Sequence, residues 1–239
     1  MLNSNKLIVL SGLKYKDNDL IVKCYTQNRG LVSYIIRGAF KSKKGRAKSV
    51  YFQPLTQLKV EEVFKPNRSL QSIKETKFSY IYETLTTDVY KSAIAFFIAD
   101  ILGIVLKEEE TNNELFEFLE LSFQYIDKED QFANFHLLFL LKLTKYLGFY
   151  PDTSNMDLPY FNLEKGVFQS TQSSIYSISG NVLTLLKQLL GINFDGLNTI
   201  KINAKQRQEF LSMLLYYFEL HLGDFKKPKS LQVLNDVFH

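Results

Sequence analysis

Apolar residues alternate with polar ones through the first 78 residues, and from Tyr80 the spacing lengthens to a helical period. Lys6–Ser11 is a short apolar run, and Asp19–Thr26 places Leu20, Val22 and Cys24 on one face. Gln27-Asn28-Arg29-Gly30 then reads as a turn, followed by the β-branched and aromatic run Leu31–Arg37. Tyr51–Val60 is a further strand in which Pro54 implies an edge or a bulge. Lys65-Pro66-Asn67-Arg68 is another turn, and Leu70–Phe78 alternates again. About five strands in fewer than eighty residues, with a long polar loop between the third and fourth, fit a barrel of the oligonucleotide/oligosaccharide-binding (OB) type. A small SH3-like barrel fits the pattern nearly as well.

Beyond Tyr80, Asp88–Leu106 carries a broad apolar stripe through Val89, Ala93, Phe96, Phe97, Ile101, Ile104 and Val105. Thr111-Asn112-Asn113-Glu114 has the form of a capping box opening a second helix. Phe132–Leu147 is apolar almost all round and stops at Gly148 with Pro151 beyond, which makes it the expected centre of a helical core. Tyr160–Gln169 predicts a small hairpin turning at Glu164-Lys165-Gly166. Further helices follow at Ser179–Leu190, Asn203–Leu222 and Ser230–Phe238. The expected architecture is α+β: residues 1–78 as a five-stranded β-barrel and 79–239 as an all-helical domain with a hairpin insertion at about 155–175.

Charge divides the chain at the same place. Residues 1–78 hold sixteen Lys/Arg against five Asp/Glu, a net +11, whereas 79–239 hold thirteen against twenty, a net −7. The excess concentrates in Arg37–Lys48, where six cations and two glycines occur with no carboxylate, and no acid intervenes between Asp19 and Glu61. Such a run cannot form a core and needs water or a polyanion around it. Tyr34, Phe40, Tyr51 and Phe52 nearby add candidate stacking faces, and a basic groove with aromatic platforms is what single-strand binding requires. The candidate DNA contacts are Arg29, Tyr34, Arg37, Lys41, Lys43, Lys44, Arg46 and Lys48. Three readings compete: DNA binding, RNA binding, and a protein scaffold whose basic loop grips an acidic partner. Lys205, Arg207 and the Lys226–Lys229 tetrad are candidate receivers of an acidic peptide tail, against the plainer reading of a solvated helix face.

The chain is poor in catalytic apparatus. His136 and His221 lie on apolar helices, and no HExxH, paired CxxC, GxxxxGK[ST] or GxSxG occurs. Glu108-Glu109-Glu110 sits in a helix connection where solvated acid is the ordinary outcome. No enzyme activity, cofactor or metal is expected. The single cysteine, Cys24, excludes an intramolecular disulfide and sits in an apolar alternation, so a buried thiol in a reducing compartment is expected. The N-terminal apolar run is too short for a signal peptide, and Ala93–Leu106 falls short of the roughly 20 residues of a membrane span. These features imply a soluble, cytoplasmic protein without membrane contact.

Gly12-Leu13-Lys14-Tyr15-Lys16-Asp17-Asn18-Asp19-Leu20-Ile21-Val22, Thr26–Leu31, Arg37-Gly38-Ala39 with the Lys41–Lys48 loop, and Phe52-Gln53-Pro54-Leu55 resemble the N-terminal signature of the RecO DNA-repair proteins. Leu115-Phe116 and Phe135 through Leu147-Gly148-Phe149-Tyr150-Pro151 are similar to that family's helical domain. The resemblance implies an OB barrel and a non-enzymatic mediator of recombinational repair. It further implies binding of single- and double-stranded DNA, annealing of complementary strands, and work with RecR. Loading of RecA onto strands coated by single-strand-binding protein, through contact with that protein's acidic C-terminal tail, belongs to the same picture, as does a bacterial, nucleoid-associated location. By the same resemblance Arg37 and the Lys41–Lys48 loop would touch DNA. Many members carry zinc-binding cysteines just after the Gly-x-x-Pro helix stop. Residues 151–174 contain none here, so the hairpin is expected to hold without metal.

Overall fold

The computed structural model describes residues 2–41, 43, 49–107 and 111–238. It divides into two compact units, Met1–Glu129 with Pro228–Val237, and Asp130–Lys227 with Phe238–His239.

The first unit is built on an antiparallel sheet of β1 (Leu2–Tyr15), β2 (Asp19–Thr26), β3 (Gly30–Ile36), β4 (Gln57–Val63) and β5 (Ser72–Phe78), in the order β3-β2-β1-β4-β5. β1 runs well beyond the apolar stretch Lys6–Ser11 because it serves two neighbours. Residues 2–8 pair with β4 and 7–15 with β2, and the β1–β2 ladder carries a register shift between Val9 and Ser11. The strand expected at Tyr51–Val60 forms only from Gln57. Val50–Phe52 is a 3-10 turn, and buried Leu55 adopts φ 62°, a left-handed conformation no strand residue takes.

The sheet curls without closing. Its two edges meet at one bridge, where Ile35 N donates to Gln71 O and Gln71 N donates to Ser33 O. The architecture is OB-like, with a loose barrel rather than a continuous one. Leu7, Val9, Val22, Cys24, Leu58 and Val60 fill the concave side. Each fully buried aliphatic side chain there contributes about 1.5–3 kcal/mol.

Ile8 and Leu10 are buried too, although they point the other way. Two helices of the same unit cover that outer face: α1 (Val89–Val105) and α2 (Asn113–Lys128). Lys23 Nζ donates to Gly103 O in α1 (3.0 Å), Gln57 Nε2 donates to Glu120 O in α2 (2.9 Å), and Tyr25 packs on Phe116. Asp88 caps α1 by accepting from the N–H groups of Tyr90 and Lys91. α2 is capped by Asn112, whose side chain accepts from Leu115 N, rather than by Thr111.

The second unit centres on α3 (Phe135–Tyr146), whose residues from Phe135 to Leu141 are all buried. Around it lie α4 (Gly180–Leu190) and α5 (Ala204–His221); Asn203 and Gln206 form a reciprocal capping box on α5. α6 (Leu231–Phe238), which up to Val237 belongs to the first unit, ends the described residues. The hairpin of β6 (Tyr160–Asn162) and β7 (Val167–Gln169) gains a short third strand, β8 (Ser177–Ile178). Its turn is held by Asn162 Oδ1, which accepts from Glu164 N and Lys165 N, and Phe161 packs edge-on to Phe168. At Gly166 the backbone has φ +66°, and a Cβ would stand 2.8 Å from Tyr217 Oη. Side-chain packing and turn geometry thus shape this sheet.

Candidate nucleic-acid interface

β3 delivers Arg37 to the end of the sheet where β1 turns into β2. Lys14, Leu20 and Ile36 stand in register across β1, β2 and β3, so Lys14 and Arg37 belong to the same end. Gly38 makes the next bend at φ +67°, and its N–H donates to Asp19 Oδ1 (2.9 Å). Phe40 N donates to Asn18 O (3.0 Å), which seats the start of the basic loop on the β1–β2 turn. Lys41 and Lys43 follow in the chain, and Arg37, Lys41, Lys43, Lys14 and Lys16 are all exposed. The ion pairs among the described residues engage Lys6, Arg29, Lys205 and Lys227, none of this group. Asp17 and Asp19 are the acids sharing the turn. Lys44, Arg46 and Lys48 fall outside the described residues.

Lys14 and Lys16 were missed among the sequence candidates because they precede the acid-free window. Their signal was the near-continuous Lys14-Tyr15-Lys16 at a hairpin tip. The cation of Lys16 lies 5.4 Å from the Tyr15 ring.

Two sequence candidates turn inward. Tyr34 has no exposed surface, and its hydroxyl donates to Glu62 Oε2 at 2.5 Å. This corrects its place as a stacking platform: no ring face is left for a base. Burial and then the bond to Glu62 push its phenol far above the ordinary range. Asn5 Nδ2 donates to the other carboxylate oxygen (3.1 Å). Arg29 Nε lies 3.5 Å from that same oxygen, an ion-pair distance rather than a hydrogen bond, and its guanidinium covers the Phe64 ring at 4.0 Å. Arg29 keeps a third of its side chain exposed but is committed to a buried carboxylate. Cys24 is fully buried, and burial, helped by Glu62, raises its thiol well above normal, leaving it inert.

In the second unit, Lys205 is exposed and reaches Glu209 at 3.9 Å. Arg207 is half-buried, donating from Nε to Asn134 Oδ1 (3.0 Å), and burial lowers its pKa. It lines a cleft of about 800 Å³ with Lys201 and Gln206, so sequence neighbours on α5 take different roles. His136 is buried, its pKa pushed down to about 3 by burial and then by Arg207, so it stays neutral. His221 stacks on Phe149 with its Nε2 2.9 Å from Leu163 O. Among the described residues no group of His, Cys, Asp and Glu is arranged to hold a metal, and no helix is long and apolar enough to cross a membrane. Glu108–Glu110 lie outside the described residues.

A curled, OB-like sheet with a cationic end, followed by helices, places the chain among α+β proteins with an OB-like N-terminal domain. Comparison with known proteins narrows the class. Residues 1–82 match the family model "Recombination protein O N terminal" and 86–232 match "Recombination protein O C terminal". The chain is 48% identical to the DNA repair protein RecO of Christiangramia forsetii over 238 residues, all of both chains. It is 46% identical to that of Flavobacterium psychrophilum over 233 residues and 44% to that of Flavobacterium johnsoniae over 234, covering 98% of each chain in both cases. The chain belongs to the RecO family of DNA repair and recombination proteins.

Proposed function

We propose that the chain binds DNA through the cationic end of its sheet and anneals complementary strands. The observation that carries this reading is the gathering of Lys14, Lys16, Arg37, Lys41 and Lys43 at one sheet end, outside the ion pairs of the described residues. Cations held at that end neutralise phosphates on two strands and reduce their repulsion while bases search for partners. No step requires a bond to be made or broken, so the proposed role is that of a mediator rather than an enzyme. Within repair, the proposed partners are single- and double-stranded DNA and RecR, with RecA loaded onto strands coated by single-strand-binding protein. The proposed location is the cytoplasm, at the nucleoid.

If about four cations meet phosphates, log K should fall against log[salt] with a slope of roughly −3 to −4, shallower on single strands. Replacing Lys41, Lys43, Lys44 and Arg46 together by Ala should flatten that slope. An unchanged slope would remove the loop from the interface. Matched DNA and RNA strands separate the RNA-binding reading, because only RNA offers the 2′-hydroxyl.

The acidic C-terminal tail of single-strand-binding protein is the proposed occupant of the cleft beside Arg207. The cationic Lys201 and Arg207 in that cleft, with Lys205 on the same helix turn, support it. Titration with a labelled acidic C-terminal peptide should show affinity lowered at least about tenfold in Lys205→Glu/Arg207→Glu. Equal affinity for the parent and the reversed chain would place the tail elsewhere.

A further inference from the structure

A groove between the β1–β2 end of the sheet and α1 is not accounted for by the cationic end. It encloses about 710 Å³, within the roughly 300–1,000 Å³ of small-ligand clefts. Its walls come from β1, β2 and α1, with Phe40, Phe96 and Ile104 supplying apolar surface. Phe96 is 50% exposed and Ile104 36%, although most of α1 around them is buried. Lys23 and Lys229 stand on the same walls. The carboxylate among the lining residues, Asp100, has its Oδ2 taken by Ser230 N and Ser230 Oγ. Phe40 and Ser49, which bracket the Lys41–Lys48 segment in the sequence, both line the groove.

We propose that this groove holds unpaired bases of a DNA strand whose phosphates lie on the cationic end of the sheet. The inference rests on the DNA-binding reading above and adds to it a preference for single strands. Accessible phenyl rings beside lysines can receive any base by its face, because every base has a π-surface and sequence need not be read. A duplex keeps those faces stacked inside and presents phosphates and base edges, so it gains the cations and not the groove. The arrangement gives annealing a direction. Each strand is held by bases that it must surrender to its complement, so the duplex formed is bound less tightly than the strands that made it.

The test uses the full chain, a single-stranded oligonucleotide carrying 2-aminopurine, and its matched duplex at one salt concentration. Phe96→Ala removes the most exposed ring. Gly103→Leu fills the groove instead: Gly103 lines it, and a Cβ there meets nothing within 4 Å. Thermal unfolding of both variants confirms that each is folded. Single-strand affinity should fall at least about fivefold in either variant, the lower end of what one lost stacked base costs. The 2-aminopurine quenching seen with the parent should disappear, while duplex affinity and the salt slope stay in place. Unchanged single-strand affinity in both variants overturns the proposal, as does an equal loss for strand and duplex. Lys41→Ala/Lys43→Ala, measured alongside, separates the two levels. If that variant weakens binding and the groove variants do not, only the groove inference falls; if none weakens it, the cationic interface falls as well.

Discussion

Replacing Asp127 by Ala should lower the unfolding free energy of the first unit by about 3–5 kcal/mol. Asp127 is 1% exposed near the C-terminus of α2. Its carboxylate accepts from Thr84 N and Leu85 N, both at 2.8 Å, and from Glu83 N at 3.0 Å. Thr84 Oγ1 also donates to the Asp127 carbonyl. Lys91, 3% exposed, donates to that same carbonyl (2.9 Å) and to Thr84 Oγ1 (2.7 Å). The residue therefore ties the Glu83–Leu85 turn to α2 and faces a buried ammonium. Alanine would leave several buried backbone donors unsatisfied and remove the negative charge that faces Lys91, and each is costly in a dry environment. Urea unfolding followed by circular dichroism measures the loss, and amide exchange at Glu83, Thr84 and Leu85 localises it. An unmoved midpoint with protected amides would show that the turn holds without the carboxylate.

The acid limb of the stability curve carries the same residue. Burial alone would raise the Asp127 pKa, but the bonds from Glu83, Leu85 and Thr84 and the charge of Lys91 outweigh it, leaving the folded value below the ordinary 3.8. A carboxyl depressed on folding contributes stability that is fully present above its unfolded pKa and is lost as pH falls through the folded one. The parent should therefore weaken as pH drops below about 4, and Asp127→Ala should show a flatter limb over that window.

Much of this architecture was legible from period alone, because alternation and 3.6 spacing report which faces are buried. The failures have local causes. β1 is longer than its apolar core because hydrogen-bonded pairing, rather than burial, extends it, with β4 from Leu2 and with β2 through Ser11–Tyr15. The fourth strand is shorter than its apolar run because the left-handed turn at Leu55 intervenes, and only backbone geometry shows that. Tyr34 shares a face with Val32 and Ile36, so its burial was readable from the alternation that defined the strand. Glu62 continues the Leu58, Val60 face, and a carboxylate on a core face demands buried partners. What no pattern revealed is which partners they are, since Asn5, Arg29 and Tyr34 come from three other stretches of chain. The meeting of Lys14 and Lys16 with the basic loop depends likewise on strand register, which spacing within a strand does not specify.

Arg29→Ala should cost about 2–3 kcal/mol of stability, below the roughly 3–5 kcal/mol of a fully buried broken pair because a third of the side chain already meets water. The cost falls on Glu62, left with Tyr34 and Asn5 as donors but without a counter-charge. Adding Glu62→Gln to the Arg29→Ala chain removes that charge while keeping an acceptor for Tyr34, and should restore part of the loss. The pair of variants also decides whether Arg29 belongs to the interface. A residue committed to Glu62 cannot turn to a phosphate without leaving a carboxylate buried and unpaired, which costs more than one exposed phosphate contact returns. The double variant should therefore keep the parent's affinity for DNA and its salt slope, measured where both chains are folded. A slope shallower by about one unit in the double variant would mean that Arg29 leaves Glu62 when DNA arrives. An Arg29→Ala chain as stable as the parent would mean that the hydrogen bonds from Tyr34 and Asn5 suffice to hold Glu62.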